Sequence, residues 1–137
     1  MDVSGGFADR VLRAAMNGLS VRQRVIADNL ANVDTPDFSA SKVDFESALQ
    51  SAIAQHRDGD LPLLRTASLG GGQDDLLAEA QPQVVRLDNA QSSDGNGVDV
   101  DQEMVELTQT NLTYNALAQM VSSRFQLMRT VINDGRR

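Results

Sequence analysis

The 137-residue sequence contains no cysteine and no tryptophan, one tyrosine and four phenylalanines. Without cysteine, the chain can form neither a disulfide framework nor a thiolate metal site. Because aromatic residues make up only 4% of the chain, a core must be built mainly from Leu, Val, Ile, Met and Ala. Such a core favours helix-on-helix packing, and the length is that of one ordinary domain. We therefore expect one structural domain that is mainly α-helical.

Long apolar runs are also lacking. No stretch is apolar enough to cross a bilayer. At the N-terminus, Asp2 stands where a secretory signal carries positive charge, and no continuous apolar run follows. We therefore expect neither a membrane-spanning helix nor a cleaved signal peptide.

The formal net charge of −7 is unevenly distributed. The first 33 residues carry +1 and the last 40 carry −1, so residues 34–97 hold the whole imbalance. An acidic chain without a basic patch argues against nucleic acid as a partner. The nearly neutral ends are free to pack closely against each other or against neighbouring copies.

Apolar residues recur at alternating steps of four and three in both terminal segments, as they do in helices that pack along a seam. This spacing predicts one helix over residues 7–33 and another from 99 to a stop at Gly135, with Asp99 as its cap. The N-terminal seam consists of Leu12, Met16, Leu19, Ile26, Leu30 and Val33. The C-terminal seam consists of Met104, Leu107, Asn111, Tyr114, Val121, Phe125, Met128 and Ile132, with Val100 and Ala118 in the same rows.

The two segments would form helices of roughly 40 and 50 Å, which are too long to cover their own seams. Each needs the other or neighbouring copies, so we expect a coiled-coil-like hairpin whose seam residues form subunit interfaces. Gln23 and Asn111 interrupt the apolar rows. They are either polar residues at solvent-reached sites or a device that fixes the register between helices.

The middle segment, residues 34–98, has weaker patterns. Phe45, Leu49 and Ile53 predict a short helix over about 44–57, and the Gly-rich stretch 58–81 predicts a flexible linker. Residues 83–87 predict a short strand. The expected fold is therefore mainly α, with an irregular middle that contains little β structure.

Residue patterns for catalysis or metal binding are absent from the sequence. His56 is expected to be a solvated surface residue, because no orienting partner is evident. Residues 94–103 fail as a calcium loop, since Asp99 stands where glycine is demanded, and they predict a turn followed by a helix cap. The glycines at 70–72 lack the lysine of a phosphate loop. We therefore expect no enzyme, no cofactor, no metal and no small-molecule substrate.

The first helix must end at the stretch DNLANVDTPDF, residues 28–38, because Pro36 excludes helical geometry at Thr35. Asn32 or Asp34 can close the helix in the left-handed conformation. The stretch resembles the signature at the start of flagellar axial proteins, which include the basal-body rod proteins. The matching residues are Asn29, Leu30, Ala31, Asn32, Thr35, Pro36 and Phe38.

The long C-terminal helix is also typical of that family, and residues 94–132 are similar to the end of a proximal rod subunit. The resemblance implies a structural subunit whose terminal helices assemble into a helical tube around an export channel and transmit torque. It implies export through the flagellar type III apparatus without a cleaved signal, and a place in the periplasmic part of the basal body. The implied partners are further copies of the chain, the rod proteins FlgC, FlgF and FlgG, the adaptor FliE and the MS-ring.

The chain departs from the family signature at Asp37, where the family usually has glycine, and at Asp28, where an asparagine is common. If position 37 needs a positive φ, aspartate adds a strain of roughly 1 kcal/mol. Two other functions are compatible with the seams: a rod subunit that resembles FlgC, and a small regulatory or chaperone-like coiled-coil module. A membrane-surface helix is disfavoured, because residues 7–33 contain few bulky anchors.

Overall fold

A computed structural model describes residues 6–59, 81–87 and 98–134. In chain order these form α1 (Phe7–Ala31), β1 (Ser41–Asp44), α2 (Glu46–Gly59), β2 (Gln83–Arg86) and α3 (Val100–Asp134). The prediction of a mainly α fold with two long terminal helices and little β structure is confirmed. Among the described residues, no helix has the length and apolar character needed to cross a membrane.

Helix α1 ends two residues earlier than the seam pattern predicts. The N–H groups of Asn32 and Val33 donate to the carbonyls of Asn29 and Leu30 at 3.1 and 3.5 Å, so the last turn is tightened. The side chain of Asn32 also donates to the carbonyl of Asp28 at 2.8 Å. Val33 therefore lies in the turn, half-buried, rather than in the helix.

Strand β1 is an element that the sequence pattern did not predict. The short helix of the middle segment was expected to start at about residue 44, but the structure shows it as α2, which starts at Glu46. Strand β1 pairs antiparallel with β2, with Ser41 opposite Arg86. The prediction missed β1 because its sequence, SKVD, contains one apolar residue, Val43, which is buried against α1.

Helices α1 and α3 form an antiparallel hairpin. Three side-chain contacts join them at successive levels: Asp9 to Arg124, Gln23 to Asn111 and Asn29 to Glu103. Residue numbers increase along α1 while those of the contacting residues decrease along α3, so the two helices run in opposite directions. At the start of α3, the carboxylate of Asp99 accepts a hydrogen bond from the N–H of Gln102 at 3.1 Å, so the predicted helix cap is confirmed.

The main cluster of buried apolar residues lies where α1, β1 and the residue before α2 meet, and Tyr114 and Leu117 of α3 pack against it. It consists of Leu19, Val25, Val43 and Phe45. The ring of Phe45 packs on Gly18, where a Cβ atom would come within 2.5 Å of the ring. Glycine at position 18 therefore makes room for the aromatic side chain.

Two more contacts hold α2 against α1. The guanidinium of Arg22 lies 4.9 Å from the centre of the Phe45 ring and donates to the carbonyl of Val43 and to the carboxylate of Glu46. At the other end, the rings of Phe7 and His56 stack with centroids 3.7 Å apart. His56 is thus half-buried against an aromatic ring, and the expectation of a solvated surface residue is wrong.

Candidate functional site

The N-terminal seam lies on the side of α1 that faces α3. Leu19 and Ile26 are buried there, and Leu12, Met16 and Leu30 are half-buried. A further side of α1 is exposed to solvent and includes Arg13, Asn17, Ser20 and Arg24. Leu19 belongs both to the core cluster and to the seam, so these two apolar surfaces are continuous along α1.

The C-terminal seam is divided into two rows. Its half-buried members, which face α1, are Leu107, Tyr114, Val121 and Met128. Its exposed members, which lie to one side of the contact, are Met104, Asn111, Phe125 and Ile132. Only half of the predicted seam is therefore used inside the chain.

Polar residues of α3 take the remaining positions beside α1. Glu103 and Thr110 are buried, and the guanidinium of Arg124 binds the carboxylate of Asp9 at 3.0 Å. A straight helix drifts by about 20° per heptad relative to a 3.5-residue repeat, so a long seam cannot stay centred on a straight neighbour. α1 therefore contacts Glu103 and Arg124, two polar positions that the apolar pattern alone did not predict.

Asn29, the first matching residue of the family signature, joins three elements. Its side chain donates to the carbonyl of Ser41 at 2.8 Å and to Glu103 Oε1 at 2.9 Å, and its Oδ1 accepts from the N–H of Ser41 at 2.9 Å. The residue is only 1% exposed. Asn29 therefore extends the pairing of β1 onto α1 and links both to α3.

Glu103 is the buried acid of this junction. Oε1 accepts from Asn29, whereas Oε2 is buried without a hydrogen-bond partner among the described residues. Burial raises the pKa of Glu103, an effect opposed by the hydrogen bond from Asn29 and by Lys42 and reinforced by the nearby carboxylates. Sequence reasoning missed this residue because its partner lies 74 positions away along the chain.

The two polar interruptions of the seams contact each other. Gln23 Nε2 donates to Asn111 Oδ1 at 2.7 Å. This pairing favours the register-fixing interpretation, because the two amides meet only when the helices are aligned in this way. The contact is exposed, so its contribution to the free energy of unfolding is on the order of 1 kcal/mol or less.

The turn after α1 is held by its own side chains and by one strained residue. Thr35 donates from its hydroxyl to Asn32 Oδ1 at 3.3 Å and from its N–H to the carbonyl of Asn32 at 2.9 Å. Among the described non-glycine residues, Asp37 has a positive φ, of 60°. The left-handed position is thus Asp37, and the expectation that Asn32 or Asp34 would take it is wrong. Thr35, Pro36 and Ala31 are exposed, and Phe38 is half-buried.

The surface of α3 after its first two turns is almost free of charge. Between Leu107 and Asn133 the charged residues are Arg124 and Arg129 alone. Large apolar side chains are exposed on several sides of the helix, among them Leu112, Leu127 and Val131. A long helical segment with few charges and with exposed apolar residues on several sides is typical of one that is enclosed by other elements.

Other predicted features bear on no catalytic site. Among residues 6–59, 81–87 and 98–134, no group of histidine and acidic side chains could hold a metal ion. The glycines at 70–72 and the turn at 94–97 lie outside the described residues. Asp99, which was tested as part of a calcium loop, caps α3.

Comparison with known proteins agrees with this arrangement. The family described as "Flagella basal body rod protein" matches residues 10–38, which include most of α1 and the turn after it. The chain is 38% identical over 117 residues to the flagellar basal body rod protein FlgB of Borrelia hermsii, covering 83% of this chain and 87% of that protein. It is 31% identical to FlgB of Bacillus subtilis and 30% identical to FlgB of Salmonella typhimurium, each over more than nine-tenths of both chains.

The shared name describes a rod protein rather than an enzyme, in agreement with the prediction that the chain is not catalytic. The match at residues 10–38 covers the helix end and the Asn29 junction described above. The chain therefore belongs to the FlgB family of flagellar basal-body rod proteins, and it is a structural subunit of the flagellar basal body that assembles with other rod components.

Proposed function

We propose that the chain is a proximal rod subunit that assembles through its terminal helices into a helical tube. The tube surrounds the export channel and transmits torque. The observation that supports this most strongly is the surface of α3. Residues 107–133 of this helix carry two charges, and apolar side chains such as those of Phe125 and Ile132 are exposed there. Burying this surface against neighbours stabilises the assembly by roughly 25 cal/mol per Å².

The exposed row of the C-terminal seam is the primary candidate for contacts between subunits. Met104, Phe125 and Ile132 are each more than half exposed. The N-terminal seam contributes indirectly, because it holds α3 in position. The signature turn, with exposed Thr35 and Pro36, is the candidate contact with subunits outside the layer of helices.

The individual partners that we propose are those that the resemblance to rod proteins implies. They are further copies of the chain, the rod proteins FlgC, FlgF and FlgG, the adaptor FliE and the MS-ring. The chain reaches the periplasmic part of the basal body through the flagellar type III export apparatus without a cleaved signal peptide. A fold whose longest helix is covered on one side only is compatible with export in an unfolded or loosely structured state.

Sedimentation velocity and circular dichroism over a concentration series test this proposal. The chain should be monomeric and poorly helical when dilute, and its helicity should rise as it associates. The Phe125→Asp variant should stay monomeric at concentrations where the parent chain assembles. A rigid, fully helical monomer at all concentrations would contradict self-assembly through the helices and would favour the alternative of a coiled-coil module for a single partner.

A further inference from the structure

Helix α3 carries two different apolar surfaces on opposite sides of its contact with α1. The first is the exposed seam row, which consists of Met104, Asn111, Phe125 and Ile132, spaced seven or fourteen residues apart. The second is the side groove, which is lined by Phe7, Val11, Leu12, Ile53, Met120 and Leu127. Positions 125 and 127 differ by about 200° around a helix, so the two surfaces face away from each other.

The two surfaces present different side chains. Phe125 and Ile132 of the exposed seam row are 56% and 60% exposed. The side groove is a shallow, open, apolar space of about 810 Å³ between α1, α2 and α3. It extends along α3 from residue 116 to 127, or roughly 16 Å. Two projecting side chains seven residues apart are separated by about 10 Å along a helix, so both fit within that length.

The two surfaces are also alike in that the residues that form them leave no charge unpaired. The charged side chain that lines the side groove is Arg124, and Asp9 already binds it at 3.0 Å. The exposed seam row contains no charged residue, and Arg129 lies at its edge. Contact between them would therefore bury apolar surface without leaving an unpaired charge in the interface.

We propose that Phe125 and Ile132 of one copy of this chain sit in the side groove of a second copy. The contact joins two unlike surfaces, so each bound copy still has one free groove or one free row, and growth does not stop at two. This inference rests on the proposed self-assembly. It adds which surface of one copy meets which surface of the next.

Two complementary variants test the inference. Phe125→Asp disables the exposed seam row, and Leu127→Asp, at a position 65% exposed, disables the side groove. Each variant alone should bind itself at least about 30-fold more weakly than the parent chain. An equimolar mixture should form a heterodimer that grows no further, because one copy retains the groove and the other retains the row. Sedimentation velocity measures the sizes.

Ser20→Asp is the matched control, because it adds the same charge to the exposed side of α1, away from both surfaces. This variant should assemble like the parent chain. Far-ultraviolet circular dichroism should give the same helicity for all variants at one dilute concentration. Because both replaced side chains are largely exposed, neither change should unfold the chain.

Two results would overturn the inference while the parent chain still assembles: dimerisation of either variant by itself, which requires a symmetric contact, or a mixture that stays monomeric. If the parent chain itself remained monomeric at every concentration, the proposed self-assembly would fail and this contact with it. Whether the parent chain assembles thus distinguishes failure of the proposed self-assembly from failure of this particular contact.

Discussion

Replacing Gly18 with alanine should destabilise the chain, although the same change stabilises most helices. Alanine is favoured over glycine inside a helix by about 1 kcal/mol. In α1, however, the added Cβ atom would lie 2.5 Å from Cγ and Cδ2 of Phe45. Carbon atoms in contact are about 3.5–4 Å apart, so the ring must move.

The expected magnitude follows from the position of that ring. Phe45 is 4% exposed, and Arg22 packs on its face, so it has little room to shift. Overpacking a core costs about 1–3 kcal/mol, and an overlap of 1 Å or more belongs at the upper end of that range. After subtraction of the helix gain, Gly18→Ala should lower the free energy of unfolding by about 2 kcal/mol.

A double-mutant cycle separates the two contributions. In a Phe45→Ala background the ring is gone, so Gly18→Ala should be stabilising by about 1 kcal/mol, and the coupling between the sites should be about 3 kcal/mol. Urea unfolding at one protein concentration, at which the parent chain is fully helical, is followed by circular dichroism and gives the free energies of unfolding. Asn17→Ala, at the exposed neighbouring position, is the control and should be mildly stabilising. A stabilising Gly18→Ala in the parent background would refute the reasoning.

Three further changes probe the junction and the turn, each measured by urea unfolding. Burial raises the pKa of Glu103, so the protonated side chain stabilises the folded state. That stabilisation is full below the unfolded-state pKa near 4.3 and is lost as pH rises through the folded-state pKa. Glu103→Gln should remove that loss and be at least as stable as the parent at pH 7; a variant less stable there by more than about 1 kcal/mol would contradict this. Asn29→Ala should lower the free energy of unfolding by about 3 kcal/mol, because it leaves buried groups of Ser41 and Glu103 unpaired, and a loss below about 1 kcal/mol would rule out the junction. Asp37→Gly should gain about 0.5–1 kcal/mol by relieving the positive φ, and a loss would show that the aspartate side chain matters more than the strain.

Patterns that repeat along the chain were sufficient to predict both long helices and the hairpin. The heptad spacing from Leu12 to Ile132 reports helix packing directly, because each repeat brings the same face to a neighbour. Pro36 placed the end of α1 to within two residues. The stop depends on local backbone sterics, and these are readable from the sequence.

Features that depend on distant partners could not be predicted in the same way. Strand β1 exists because Val43 packs on α1 and because β2 pairs with it, and neither contact leaves a periodic signal in four residues. In the sequence, Glu103 is one of several acidic residues at the start of a helix. Its burial depends on the contact with Asn29, which is 74 positions away along the chain. The division of the C-terminal seam into a covered and an exposed row likewise depends on how α3 rotates against α1.

The central position of α1 makes the fold mechanically asymmetric. Helix α3, strand β1 and helix α2 each pack on α1, on two different sides of it. Traction on the carboxyl end would strip α3 along one face and leave the sheet and α2 attached to α1. Traction on the amino end would withdraw the shared support, so that α3, β1 and α2 all lose their contacts with α1 in a single event, and β2 keeps its pairing with β1.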